Sequence, residues 1–309
     1  MNREILEDII NEINFNSNID RRILEKDYYV CLILKELSTI QSELKAYFKG
    51  GTAVYKILDI MYRFSEDIDL TVKIDENLSN TSNRNRLKKS ALGYDLDGLE
   101  LDKSQTIDKK GSITTFYKYN SLFTINNLYK PGIVQIESTS FTVSEPTSVY
   151  TIEPLIYKYA TVEQKKVLKD KYNICEFNIE IITLERIFVD KIFAIEFYYI
   201  RNMYKDVSKH LYDITILFKR DDIKIFLNNK SKLNKIIKYK RLEEKNRIGG
   251  IDSNLKIKNF SYLNNEINEE LTKIFYDTQD IYVFDDKYKL NINEVKNTLK
   301  ELYNYFMNY

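Results

Sequence analysis

The 309-residue sequence predicts an α+β fold, a core of mixed β-sheet and helices followed by a mainly helical C-terminal domain. Three observations lead there. Short runs of β-favouring residues alternate with helix-spaced segments through the first half of the chain. All three prolines fall within residues 131–154, and such punctuation marks a change in organisation. Beyond Pro154 the apolar residues recur mostly at helical spacing. The boundary therefore falls near Pro154, with a core over residues 1–154 and a helical domain over residues 155–309.

Taken in order, Ile5, Ile9, Ile10 and Ile13 predict a first helix over residues 2–13. Ile23, Leu24, Tyr28, Cys31 and Leu34 predict a second over residues 20–37. Leu44 to Phe48 reads as a short strand, Thr52 to Met61 as a helix and Asp67 to Ile74 as the next strand. The polar stretch 77–89 holds a basic cluster, Arg84, Arg86, Lys88 and Lys89, which reads either as a solvated helix face or as a contact for phosphate. Residues 93–111 are turn-rich. Two β-favouring runs follow, Ser112–Tyr119 and Ile133–Val143, separated by the turn residues Asn126-Asn127 and Pro131-Gly132. Past the boundary, Ile156 to Val167 reads as helical, and Cys175 to Ile182 as one more strand or the lead-in to a helix from Leu184. Another helix spans roughly Val207 to Phe218, and further packing helices run through Leu271–Tyr276 and Val295–Tyr305, with an apolar run at Ile281–Phe284 between them.

Composition removes several classes of function. Basic and acidic residues number 47 and 46, so no global field draws nucleic acid and any such contact needs a local patch. The best patch is Lys230 to Arg247, with eight basic and two acidic residues interleaved with Ile236, Ile237 and Tyr239. Cys31 and Cys175 have neither metal-site spacing nor the numbers of a disulfide framework, which suits a reducing cytoplasm. The charged N-terminus predicts no signal peptide, and the lack of a long apolar run predicts no membrane span. The single histidine, His210, fits no Ser-His or Cys-His arrangement.

The stretch from Phe48 to Tyr55 and its continuation from Arg63 to Leu70 carry the chemistry. An apolar approach ends at Gly50-Gly51, and a short helix opens at Thr52. Bare backbone N–H groups at a helix N-terminus bind anions. In the alternating strand that follows, Asp67 and Asp69 project from one face and Ile68, Leu70 and Val72 from the other. Neighbouring carboxylates repel unless water or a divalent cation separates them. The pattern thus reads as a nucleotide site beside a metal site.

Gly50-Gly51-Thr52 followed by Ser65-Glu66-Asp67-Ile68-Asp69 resembles the polymerase-β-like nucleotidyltransferase signature. The fuller string, Phe48-Lys49-Gly50-Gly51-Thr52-Ala53 with Arg63-Phe64-Ser65-Glu66-Asp67-Ile68-Asp69-Leu70, is similar to the AbiEii/AbiGii-type nucleotidyltransferase toxins. Three more stretches fit that family: Glu25 to Val30, Arg186 to Ala194, and Lys209 to Ile214. The matching pieces run from about residue 20 to 220. Glu25-Lys26-Asp27-Tyr28 suggests no chemical role and reads otherwise as a charged helix turn.

The resemblance implies a polymerase-β-like core, a helical domain that completes the active site, and transfer of a nucleoside monophosphate from an NTP to an acceptor hydroxyl. Mg²⁺ or Mn²⁺ would be held by Asp67 and Asp69, and the phosphates would be cradled by Gly50, Gly51, Thr52 and Ser65. Such sites draw a third carboxylate from a later strand, and Glu137 is the best-placed acid, with an edge-strand glutamate as the other reading. Lys191 falls inside the apolar stripe Leu184, Ile187, Phe188, Ile195 and Tyr198, a costly place for a charge unless it is paired or snorkels to water. The family match on Lys191 implies that it serves the nucleotide's phosphates. Asp213 could pair with Lys191, act as a base or lie on the surface; Glu137 or Asp213 would accept the hydroxyl proton. The family's members are toxins of two-gene toxin–antitoxin or phage-defence modules, and some add nucleotides to tRNA 3′ ends. An RNA acceptor, tRNA first, and a cognate antitoxin are therefore implied partners. The alternatives are a small-molecule acceptor such as an aminoglycoside, or a non-catalytic nucleotide-binding module.

Overall fold

A computed structural model describes residues 3–123 and 132–307. The predicted turn residues Asn126-Asn127 and Pro131 lie outside the described residues. By its internal packing the chain divides into a unit ending at Ile182 and a unit beginning at Thr183.

The first unit opens with helices α1 (Arg3–Ser17) and α2 (Arg21–Leu44). Asp20 caps α2 by accepting the Arg22 N–H at 2.8 Å. Strand β1 (Ala46–Lys49) runs directly into α3 (Gly50–Leu58), and β2 (Ile68–Val72) follows. Next come α4 (Asn80–Leu92), the short strands β3 (Glu100–Leu101) and β4 (Ile107–Lys109), and the longer β5 (Ser112–Lys118) and β6 (Ile133–Thr139). The unit ends with β7 (Thr147–Ile152), α5 (Leu155–Lys158), α6 (Val162–Tyr172) and β8 (Phe177–Ile182).

These strands form one mixed sheet in the order β3-β5-β6-β2-β1-β8-β7, with β4 paired to β5. Alternation gives the sheet two unlike faces. Phe48, Ile68, Leu70, Val72, Ile113, Val134 and Ile136 are buried on one face, and α4 lies on it, the Ala91 carbonyl accepting from the hydroxyls of Thr115 and Tyr117. Lys49, Asp69, Glu137 and Thr114 occupy the other face and are only half-buried.

The packing division falls at Ile182 rather than near Pro154. The physical reason is the β7–β8 pairing: after α5 and α6 the chain returns as β8, which pairs with β7 and with β1, so both strands belong to the sheet. The Cys175–Ile182 segment takes the strand alternative. The block expected as one helix from Ile156 to Val167 is two, α5 and α6, broken before the Thr161–Gln164 capping box.

One turn of α2 carries charges into the interior. Glu25, Lys26 and Asp27 are all buried. Glu25 accepts from the Leu122 N–H and the Ser121 hydroxyl, both at 2.6 Å, and burial raises its pKa above the usual carboxylate range. Asp27 accepts from Lys56 Nζ at 2.5 Å, the Tyr55 hydroxyl at 3.0 Å and the Leu155 N–H at 2.8 Å. Cys31 Sγ lies beside this pair, 3.1 Å from Lys56 Nζ. Burial, then the Asp27 carboxylate, pushes its thiol up to about 12. Little thiolate forms at neutral pH, and the thiolate is the reactive species. A thiol reagent at pH 8 is therefore expected to modify one cysteine, Cys175, in the native protein and both after denaturation, as counted by mass spectrometry. Native-state labelling of Cys31 would contradict the packing around Asp27.

The second unit contains α7 (Leu184–Tyr199), α8 (Tyr204–Phe218), α9 (Asp221–Asn228), α10 (Lys230–Asn246), α11 (Ser261–Asn264), α12 (Glu269–Tyr282) and α13 (Ile292–Met307). Its described residues contain no strand. Phe188, Phe193, Phe260 and Phe275 fill its core. Arg186, 2% exposed, is held by Asp190 at 2.8 Å and by Glu243 of α10. Lys240 pairs with Glu244 at 2.9 Å and with Glu243 at 3.2 Å. No helix among the described residues is long and apolar enough to cross a membrane.

Candidate active site

The site in the first unit is built where β1, α3 and β2 meet. Leaving β1, the chain turns at Gly50 with φ +85°, a left-handed conformation that side chains disfavour. A Cβ at Gly50 would stand 2.0 Å from Asp69 Oδ2. The Asp69 carboxylate therefore lies directly against the bare Cα. At Gly51 an added Cβ would meet an Arg63 guanidinium nitrogen at 2.8 Å and Ser65 Oγ at 2.9 Å. Gly50 is required by its left-handed backbone, and at Gly51 any side chain would have to displace Arg63 or Ser65.

Thr52 fastens the two arms. Its hydroxyl donates to the Asp67 carbonyl at 2.6 Å and lies 3.0 Å from Ser65 Oγ. With Thr52 1% exposed, that hydroxyl is engaged inside the protein. What the turn offers a ligand is backbone: the opening N–H groups of α3 have no intrahelical acceptors, and Lys49 makes no side-chain cap bond to them.

Asp67 stands just before β2, and its Oδ1 is buried without a hydrogen-bond partner. An uncompensated buried carboxylate oxygen is costly and favours a cation. Strand register supplies the neighbours. Parallel pairing sets Asp69 beside Glu137, antiparallel pairing with β1 sets it beside Lys49, and β5 sets Thr114 beside Glu137. A row Lys49, Asp69, Glu137, Thr114 thus crosses four strands. Glu137 occupies the strand adjoining that of the paired aspartates, and it is not an edge position.

Two hard carboxylates, one with an orphaned oxygen, suit Mg²⁺, which is commonly held by one or two carboxylates with waters and substrate phosphates completing the shell. Among the described residues no group of three or more His, Cys, Asp or Glu side chains converges to hold a metal. Lys49 and Arg63 were not singled out from the sequence. The signal for Lys49 was its place before the glycine pair, at the strand end that antiparallel pairing brings to Asp69.

The second unit places Lys191 and Asp213 together. Lys191 Nζ lies 2.5 Å from Asp213 Oδ2, with side-chain exposures of 5% and 6%. Asp213 pairs with Lys191 and does not lie on the surface. His210 stacks on Tyr198, with ring centroids 5.5 Å apart.

The two basic clusters differ. Arg84 pairs with Asp108, Lys89 with Glu43 and Arg86, at 3.9 Å, with Asp75. In α10, Lys240 is buried in its glutamate pairs, Arg241 bonds the Ser253 and Leu255 carbonyls, and Arg247 lies 3.7 Å from the Phe197 ring centroid. Lys230, Lys232, Lys235, Lys238 and Lys245 remain exposed.

These features are a glycine turn opening a helix N-terminus, with one of two alternating aspartates lying against it. Residues 32–290 match the family described as "Nucleotidyl transferase AbiEii toxin, Type IV TA system", and the chain belongs to that family. It is a nucleotidyltransferase toxin of a type IV toxin–antitoxin system. Among solved structures it is similar to MenT4, a nucleotidyltransferase toxin from Mycobacterium tuberculosis, with 13% identity, a TM-score of 0.49, and coverage of 96% of this chain and 98% of that one. No curated protein matches it significantly.

Proposed function

We propose that the protein transfers a nucleoside monophosphate from an NTP to a hydroxyl of an RNA, with tRNA the first acceptor to test. The observation that carries the site is the Asp69 carboxylate lying against Gly50, with the orphaned Asp67 oxygen on the same arm. The α3 N-terminus binds the β- and γ-phosphates through backbone N–H groups of Gly50, Gly51 and Thr52, and Ser65 Oγ stands beside Gly51. The acceptor oxygen forms a bond to the α-phosphorus as the bond to the pyrophosphate oxygen breaks, and pyrophosphate leaves with that electron pair. The acceptor's proton passes to Glu137 or Asp213. Asp67 and Asp69 would hold a divalent ion, which would supply countercharge to the phosphates and lower the pKa of the acceptor hydroxyl. Lys191, through its place in the family's motif, supplies further positive charge for the phosphates.

The five exposed lysines of α10 support a polyanionic acceptor over a small molecule. A cognate antitoxin, and a role in phage defence, complete the proposal.

Incubation with each labelled NTP, Mg²⁺ and total tRNA tests it. Labelled RNA is the expected product; a labelled small product or no transfer with any NTP would overturn it. Glutamate at Lys230, Lys235 and Lys238 together is expected to raise the KM for RNA on the order of tenfold and flatten its salt dependence, leaving the KM for NTP unchanged. Loss of transfer through the NTP KM instead would remove α10 as the RNA contact.

A further inference from the structure

The charged turn of α2 has no part in the proposed chemistry, yet its residues reach elements that build the site. We propose that Lys26 is a positioning residue for the metal-binding aspartates, an inference that rests on the reading of Asp67 and Asp69 as metal ligands. Its ammonium, on a residue 3% exposed, lies 3.1 Å from Glu66 Oε2 and donates to the Ile133 carbonyl. Glu66 immediately precedes Asp67, and Ile133 is the first residue of β6. The parallel β2–β6 ladder begins just beyond, at Ile68 opposite Ile136, and runs on to Asp69 opposite Glu137. Lys26 therefore ties the two strands together at the ends where the acids enter.

The ladder alone leaves Asp67 unfixed, because that residue precedes the first paired position. Thr52 holds its carbonyl, and Lys26 holds the residue before it. The next residue of α2 works on the other half of the site: Asp27 grips Lys56 and Tyr55, one to two turns along α3 from the glycine turn. Successive side chains on a helix diverge by about 100°, so the single step from Lys26 to Asp27 lets one turn of α2 reach both elements. A buried ion pair is weak evidence for stability, since apolar residues of similar volume often replace one without loss. What an apolar replacement lacks is the charge that holds Glu66 and the directional hydrogen bond from Lys26 to the Ile133 carbonyl, and residues behind metal ligands set affinity by fixing where the ligands stand.

The test probes Mn²⁺ binding to the full chain with a non-hydrolysable NTP, read from the loss of the free-ion EPR signal. Lys26→Met with Glu66→Gln removes both charges, so no buried countercharge is left alone. Melting close to wild type, with Mn²⁺ affinity lowered on the order of tenfold and transfer recovered at high Mn²⁺, is the expected result. Wild-type affinity in that variant overturns the proposal. Glu66→Gln by itself preserves shape and serves if the double variant does not fold; a smaller loss of affinity is expected, and no loss overturns the proposal equally. Asp69→Asn run alongside separates the two ideas. If it binds Mn²⁺ as wild type does, the metal reading fails and takes this one with it; if binding needs Asp69 but ignores Lys26 and Glu66, only the positioning role is lost.

Discussion

Replacing Asp69 by asparagine is expected to lower the rate of nucleotide transfer on the order of 10³-fold or more while the protein melts near the wild-type temperature. Asparagine keeps the shape that rests against Gly50, where the bare Cα and the left-handed turn leave no room for adjustment. What it loses is the charge. Asp69 is half-buried and sits on the polar face of the sheet, opposite a packed face made of Ile68 and Leu70, so the core is untouched. The measurement is single-turnover transfer from labelled NTP at saturating Mg²⁺, with thermal melting as the control for folding. Transfer within a fewfold of wild type would remove Asp69 from the chemistry. Expression toxicity in the wild type and its absence in Asp69→Asn would give the same answer in cells.

The site was legible where its signals are local. A glycine pair at the end of an apolar strand and two aspartates alternating with Ile68 and Leu70 are periodicity and turn chemistry, which short-range sterics dictate. Glu137 was put forward by the resemblance together with its alternation with Gln135 and Ile133, and register sets it beside Asp69. The β7–β8 pair was half legible. β7 is a largely exposed edge strand with Val149 facing outward, so it lacks the buried alternation that marks a strand, and the prolines around it drew the boundary forward. Helix α4 has little apolar periodicity, burying only Leu87, Ser90 and Ala91.

Burial of charge was the least legible feature. Glu25-Lys26-Asp27 reads as solvated because nothing within a few residues neutralises it; its partners lie 28 to 128 residues away, from Tyr55 to Leu155. In α10 the long-range partner is Arg186, which pairs with Glu243 from 57 residues away, and Glu243 and Glu244 in turn draw Lys240 inward and split a run that looks uniformly basic. A lysine inside an apolar stripe is a local signal, and Lys191 stood out for that reason. Its partner, 22 residues on, could be named only as one alternative.

That pairing makes Lys191 the second large effect, and a way to separate structure from chemistry. Lys191→Ala takes the ammonium away from a carboxylate whose side chain is 6% exposed, which costs about 3–5 kcal/mol for a buried pair broken on one side. A fall in melting temperature of about 10 °C or more follows at the usual conversion for a unit of this size. Lost activity in that variant says nothing about phosphates. Lys191→Met combined with Asp213→Leu removes both charges and keeps the volume, so stability should return to near wild type, because an apolar pair in such a place is often at least as stable. Transfer should stay lost, since methionine offers the triphosphate no charge and leucine accepts no proton. Activity that returned together with stability would make the pair a structural brace of the helical unit, and the transition-state charge would then have to come from another cation, with Lys49 and Arg63 beside the glycine turn as the first to replace.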